Sequence, residues 1–140
     1  MKQMPVLQAF ILADDVYQGV NHRKFSIVGT FNMISTSVFP SMFHKPTKAY
    51  INIAELLDDS EITLRYIDLD DLSVLFESPK FPVKKALNHR NIEVIIDIPP
   101  FPIPHPGVYH LELWIDDALL SIAKVIVEKI ETNHNKPTQN

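Results

Sequence analysis

The stretch that decides the fold is HPGVYHLELWIDDALLSIAKVIVEKI, which runs from His105 to Ile130. Apolar and polar residues alternate on both sides of Asp116-Asp117, and aspartate is a favoured turn residue, so the two runs are predicted to form a β-hairpin. The second run, 118–130, also fits a helical stripe, but its β-branched residues and its antiparallel neighbour favour a strand. We therefore predict a hairpin that forms the central pair of a β-sheet.

The rest of the chain is predicted to form further short strands. These are expected at 5–16, 23–36, 48–56, 61–69, 72–78 and 91–98. The acidic pair Asp14-Asp15 is expected to close the first of them. Gly29 interrupts the second, and a glycine inside an alternating strand indicates a bulge or a close backbone approach.

Proline-containing segments connect these strands. We interpret 37–47 and 79–90 as connections, and 99–106 as an extended, polyproline-like chain that crosses from one sheet to another. No long helix and no internal repeat is visible. The pattern predicts one all-β domain over 5–130, a single antiparallel β-sandwich of about eight strands, and a polar, disordered tail over 131–140.

Composition and charge exclude several classes of function. The formal net charge of -4 argues against nucleic acid as a partner, because phosphate binding needs a dense field of Lys and Arg. The chain has no cysteine, which excludes disulfides, thiolate metal sites and cysteine nucleophiles. No apolar run approaches a membrane span, and the N-terminal apolar run is too interrupted for a signal peptide. We expect a cytoplasmic protein with no membrane partner and no cofactor.

The segment Pro106-Gly107-Val108-Tyr109-His110-Leu111 resembles the tyrosine corner of Greek-key and immunoglobulin-like sandwiches. In that corner a tyrosine near the start of a strand directs its hydroxyl back to the preceding connection. Immunoglobulin domains have a cysteine two residues after this tyrosine, whereas Leu111 stands there in this chain. The resemblance implies structural roles for Tyr109 and Gly107 and says nothing about activity.

A second resemblance covers nearly the whole chain, from about residue 9 to 129. The sequence opens with A-D-D-V at 13–16, a glycine at 19, I-V-G-T-F at 27–31 and F-P at 39–40. This opening is similar to that of an uncharacterised family of short bacterial β-sandwich proteins. The resemblance implies the fold and a bacterial, cytoplasmic setting, and it brings no activity, cofactor or site residue.

Acidic pairs are the most unusual feature of the composition. They occur at Asp14-Asp15, Asp58-Asp59, Asp70-Asp71 and Asp116-Asp117, and Asp68 extends the third of them. Carboxylates from several loops can form a cage for Ca²⁺, which takes six to eight oxygen ligands. The candidates for such a site are Asp14, Asp15, Asp68, Asp70 and Asp71. The alternative is that each pair only serves a turn, where aspartate is favoured.

Catalytic and zinc motifs are absent from the sequence. The six histidines show neither HxH nor HExxH spacing, so we expect them at the surface or at the rim of the core. No serine lies in a G-x-S-x-G elbow, and three glycines are too few for a phosphate-binding loop. We therefore expect no enzymatic activity.

Trp114 is the candidate anchor of a binding surface. In the predicted strand it lies on the face opposite Leu111, alongside His110, Glu112 and Asp116. If Leu111 faces the core, these four residues lie outside. A helix or long connection covers Trp114 in one interpretation; in the others it contributes to a protein interface or a ligand platform.

Taken together, these patterns predict a non-catalytic binding or structural module that binds a protein partner or self-associates as a homo-oligomer. The alternative is a ligand-binding sandwich whose acidic loops hold Ca²⁺ or a carbohydrate.

Overall fold

The computed structural model describes residues 3–21 and 23–131. Within these residues the chain forms twelve β-strands and no helix. The described residues therefore contain no helix that could cross a membrane. The strands are β1 Val6–Gln18, β2 Phe25–Thr30, β3 Met33–Thr36, β4 Ser41–Phe43, β5 Thr47–Ala54, β6 Ser60–Asp68, β7 Val74–Glu77, β8 Phe81–Val83, β9 Ile92–Ile98, β10 Phe101–Ile103, β11 Gly107–Ile115 and β12 Ala118–Lys129. The predicted all-β class is confirmed.

Two main sheets form the layers of a sandwich. The smaller sheet has the order β2-β1-β5-β9, and the larger has the order β3-β12-β11-β6-β7, with β8 pairing with β6 as well. A short third ladder joins β4 to β10. The predicted hairpin is confirmed as β11 and β12, two central strands of the larger sheet, and 118–129 is strand rather than helix.

The core lies between the two main sheets. Alternating residues of the hairpin, including Leu111, Leu113 and Val125, are buried together with Ile51 and Ile53 of β5. Val94 and Ile98 of β9 also pack into this core. The period of two seen in the sequence therefore separates core from surface across both layers.

Twelve strands replace the predicted eight because one strand divides and three connections carry short strands. The segment 23–36 forms β2 in the smaller sheet and β3 in the larger, so the chain changes layer between Thr30 and Met33. β3 then runs parallel to β12, which makes the larger sheet mixed rather than purely antiparallel. β4, β8 and β10 lie in the predicted connections, and two of them contain proline, which edge positions tolerate.

Two predictions about proline and aspartate have different outcomes. The proline-rich segment 99–106 does cross from the smaller sheet at β9 to the larger at β11, and it is extended at β10. The prediction that Asp14-Asp15 closes the first strand is wrong, since β1 continues to Gln18. The strand continues because β2 pairs with it as far as Gln18. Asp14 forms an ion pair with Lys45 at 3.2 Å, and Asp15 forms one with Lys48 at 3.5 Å.

Gly29 was expected to mark a bulge or a close backbone approach, and the group that lies close to it is the side chain of Asp14 on β1. Its φ is +71°, a region that side-chain-bearing residues rarely adopt, and a Cβ there would lie 2.8 Å from Cγ of Asp14. The predicted tail, 131–140, falls outside the described residues from position 132 onward.

Candidate functional site

The tyrosine corner is present as predicted. Tyr109 is buried at the start of β11, and its hydroxyl donates to the backbone carbonyl of His105 at 2.6 Å. The same hydroxyl accepts the backbone N–H of His105 at 3.2 Å. Gly107 adopts φ +150° between them, where a Cβ would lie 3.4 Å from the His105 ring. These contacts fix the entry of the chain into the hairpin.

A buried carboxylate lies beneath this corner. Asp68 ends β6 at an inward-facing position and is 3% exposed. Its Oδ2 lies 2.6 Å from Nε2 of His105, and its Oδ1 accepts the backbone N–H of Asp70 at 3.0 Å. A buried carboxylate is costly unless it is paired and hydrogen-bonded, and here both oxygens have partners.

The contacts of His105 favour the charged form of its ring. Nδ1 lies 2.7 Å from the carbonyl of Pro106, while Nε2 contacts the carboxylate of Asp68. The imidazolium form donates from both ring nitrogens, which matches a carbonyl acceptor at Nδ1 and a carboxylate acceptor at Nε2. The hydrogen bond to Pro106 and the one to Asp68 raise the pKa of His105 above its ordinary value.

The described residues include one group of potential metal ligands, which we call the corner cluster. It consists of Asp68, Asp70 and His105. Their donor atoms lie within 4.8 Å of one another. Two carboxylates and one imidazole are fewer and softer ligands than the six to eight oxygens that Ca²⁺ takes. A metal ion would also have to displace the direct hydrogen bond between His105 and Asp68. The cluster is therefore arranged as an ion pair that joins the β6–β7 turn to the corner.

The other calcium candidates have their own partners. Asp71 accepts hydrogen bonds from the backbone N–H and the hydroxyl of Ser73, at 3.0 Å and 2.7 Å, and these bonds lower its pKa. Asp14 and Asp15 pair with lysines, as described above. In the described part of the chain, Asp14, Asp15 and Asp71 do not belong to the group of potential metal ligands formed by Asp68, Asp70 and His105.

Two stacked tyrosines differ in how their hydroxyls are satisfied. The rings of Tyr66 and Tyr109 lie 5.3 Å apart at 13°. The Tyr109 hydroxyl has two hydrogen-bond partners, whereas the buried Tyr66 hydroxyl has none among the described residues. Burial raises the pKa of both phenols.

Trp114 lies on the outer face of the larger sheet, half-buried, where the alternation placed it. Its Nε1–H donates to Oε1 of Glu112 at 2.9 Å, and the guanidinium carbon of Arg65 lies 5.5 Å from the ring centroid. Arg65 also lies 3.7 Å from Glu77, an ion pair rather than a hydrogen bond. The indole is thus held in place, with its polar group satisfied.

Apolar side chains border the indole along β12. Leu119 pairs with Trp114 across the sheet and is 41% exposed, and Ile122 pairs with Glu112 and is 42% exposed. His110 pairs with Lys124 on the same face. We call the set Arg65, Glu77, His110, Glu112, Trp114, Leu119, Ile122 and Lys124 the outer face.

Asp116 lies apart from this face. It occupies the hairpin turn, where its Oδ1 accepts the backbone N–H of Glu61 at 3.0 Å. Its backbone N–H also donates to the Glu61 carbonyl, at 2.8 Å. The structure therefore places three of the four predicted interface residues together and the fourth at the end of the sheet.

Sequence reasoning missed two residues. His105 was expected only as a surface or rim histidine, and its pairing with Asp68 was not anticipated. The inward alternation of Ile62, Leu64, Tyr66 and Asp68 would have indicated that the last of them is a buried carboxylate in need of a cation. Arg65 had no comparable feature, since its place over Trp114 depends on the β6–β11 register.

Comparison with known sequences agrees with the predicted relationship. The profile described as a family of unknown function (DUF6941) matches residues 8–128, which is most of the chain. The chain belongs to that family. Its matched region begins within β1 and ends within β12, so the family corresponds to the whole sandwich. No curated protein matches the chain.

Proposed function

We propose that this family member is a non-catalytic protein-binding module that self-associates through the outer face. The observation that supports the proposal is the half-buried Trp114 between Arg65 and Glu112, bordered by exposed Leu119 and Ile122. Tryptophan and arginine are the residues most often found at energetic centres of protein interfaces. Because Glu112 already satisfies the indole N–H, burying the ring leaves this donor paired.

A second copy is the partner that fits this face best. Arg65 and Lys124 carry positive charge, and Glu77 and Glu112 carry negative charge, on the same surface. In a two-fold symmetric interface the same patch meets itself, so a patch of mixed charge can place opposite signs across the axis. The earlier resemblance supports a bacterial cytoplasm as the setting of this assembly.

Light scattering at tens of micromolar tests the proposal. Wild-type protein is expected to exceed the monomer mass, and Trp114→Ala should weaken association about tenfold or more, as truncation of an interface anchor does. Val28→Ala is the matched control, since Val28 is 50% exposed on β2 of the smaller sheet. A monomeric wild type, or equal loss of association in both variants, contradicts self-association through this face.

A ligand-binding sandwich is the alternative function. The corner cluster brings two of the five calcium candidates together with His105, which is the observation in its favour. A thermal-shift screen with Ca²⁺, Zn²⁺, sugars and nucleotides distinguishes the two functions. A concentration-dependent rise in melting temperature with one of these compounds would favour the ligand-binding function.

A further inference from the structure

One edge of β12 is only partly covered. β11 pairs with β12 along its length, from Ala118 to Val127. On the opposite edge β3 pairs only with Ile126–Lys129. From Ala118 to Val125 no strand in the described part of the chain pairs with that edge, because the segment leading into β3 comes from the other layer.

The backbone groups along this open edge can be assigned from the register. The N–H of Ile126 donates to the Asn32 carbonyl at 2.8 Å, on the β3 side. The pairing with β11 is regular from Ser121 to Val127, and consecutive residues of a strand direct their backbone groups to opposite edges. The N–H and C=O of Lys124 and Ile122 therefore face the open edge, where an unpaired row is a template for another strand.

A groove lies beside this edge, between the two layers. It has a volume of about 400 Å³, and Phe10, Leu12, Phe31 and Ala123 line its apolar part. Ala123 contributes only a methyl group from the inner side of β12, while β1 and the link after Thr30 form the other walls of the groove. A strand added to β12 would direct every second side chain into this groove.

We propose that the edge of β12 from Ser121 to Val125 is a strand-addition site for an extended segment of a partner protein. The segment would place apolar side chains in the groove and an acidic side chain beside Lys124, which is exposed and forms no ion pair with a described residue. A second copy pairing through β12 fits less well, because it would offer the groove only Ala123 and Ser121. The main-chain hydrogen bonds supply affinity and the alternate side chains supply specificity, as in other strand additions.

The test uses the full chain and a short synthetic peptide in which valines alternate with threonines and one central glutamate. Amide hydrogen exchange, followed by nuclear magnetic resonance, is expected to slow about tenfold or more at Ile122 and Lys124 when the peptide is in excess. Ile122→Pro removes an N–H that faces the edge with which no described strand pairs at this position, and edge positions tolerate proline. It should weaken peptide binding about tenfold or more, whereas Ile122→Ala keeps the N–H and should change binding by less than about threefold.

Ile122 and Lys124 belong both to this edge and to the outer face, so two further variants separate peptide binding from proline tolerance and from the Trp114 anchor. Lys124→Glu should weaken this peptide and strengthen one in which lysine replaces the glutamate. Trp114→Ala should leave peptide binding unchanged, so failure of self-association would not count against the edge site. Unchanged exchange at both amides, no binding at millimolar peptide, or equal affinity for Ile122→Pro and wild type overturns the proposal.

Discussion

Paired tyrosine-to-phenylalanine variants at positions 109 and 66 test the corner most directly. The two rings are buried and stacked on each other, so each substitution removes one hydroxyl and preserves the ring packing. At Tyr109 the change removes a 2.6 Å bond to the His105 carbonyl and a 3.2 Å bond from its N–H. At Tyr66 it removes a buried oxygen that has no partner among the described residues.

The expected changes in the free energy of unfolding have opposite signs. Tyr109→Phe removes two hydrogen bonds and leaves the backbone N–H and carbonyl of His105 without their partner. We therefore expect it to lower the free energy of unfolding by about 2–3 kcal/mol. Relief of an unsatisfied hydroxyl predicts that Tyr66→Phe stabilises by about 1 kcal/mol. For a domain of this size, these values correspond to a fall of about 6–10 °C and a rise of about 3 °C in melting temperature.

Urea denaturation followed by fluorescence measures both effects, because Trp114 is the single tryptophan of the chain. The midpoints should move in opposite directions while the dependence on urea stays constant. Equal destabilisation by the two variants would refute the reasoning, since it would mean that ring contacts rather than hydroxyl partners decide stability here. Destabilisation by Tyr66→Phe alone would show that its hydroxyl has a partner, such as a bound water.

Three further predictions follow from the corner cluster and from Gly29. The folded state binds the His105 proton more tightly than the unfolded state, because its pKa is raised on folding. The stabilisation from this proton is therefore complete below about pH 6.5 and is lost as pH rises through the folded-state pKa. Unfolding curves measured over a pH series should show this fall in the free energy of unfolding, and His105→Asn should remove it. Calcium titration should give no heat and no rise in melting temperature, because the corner cluster offers too few oxygens; a saturable calorimetric signal would contradict this. Gly29→Ala should destabilise by about 1–3 kcal/mol through its positive φ and its clash with Asp14, and an Asp14→Ala background should recover the steric part in thermal melts.

The sequence was sufficient for features that depend on local alternation and on turn chemistry. The period of two along 107–129 predicted which side of the hairpin is core, and Asp116-Asp117 predicted its turn. Gly29 predicted a bulge or a close approach, because a glycine inside a strand marks one or the other, and the close neighbour is the Asp14 side chain. The proline-rich segment predicted a crossing between layers because it can be neither helix nor central strand.

Features that depend on pairing between distant segments could not be predicted in this way. The division of 23–36 between two sheets leaves no mark on its alternation, since both halves have the same period. The lysines that form ion pairs with Asp14 and Asp15 lie more than thirty positions away along the chain. The pairing of His105 with Asp68 likewise depends on the β6–β11 register, which a single sequence does not contain.

The parallel pairing of β3 with β12 has a consequence for synthesis of the chain. Met33 is made early, but its partner Ile126 follows about ninety residues later. The larger sheet therefore cannot be completed until nearly the whole sandwich has been synthesised, and until then β3 and the edge of β11 lack their partner. Contacts between residues so far apart in sequence slow folding, because the chain loses loop-closure entropy before these contacts can stabilise it. We expect nascent chains of this family to fold in one late step, and truncation before β12 to leave a chain that aggregates rather than a smaller stable domain.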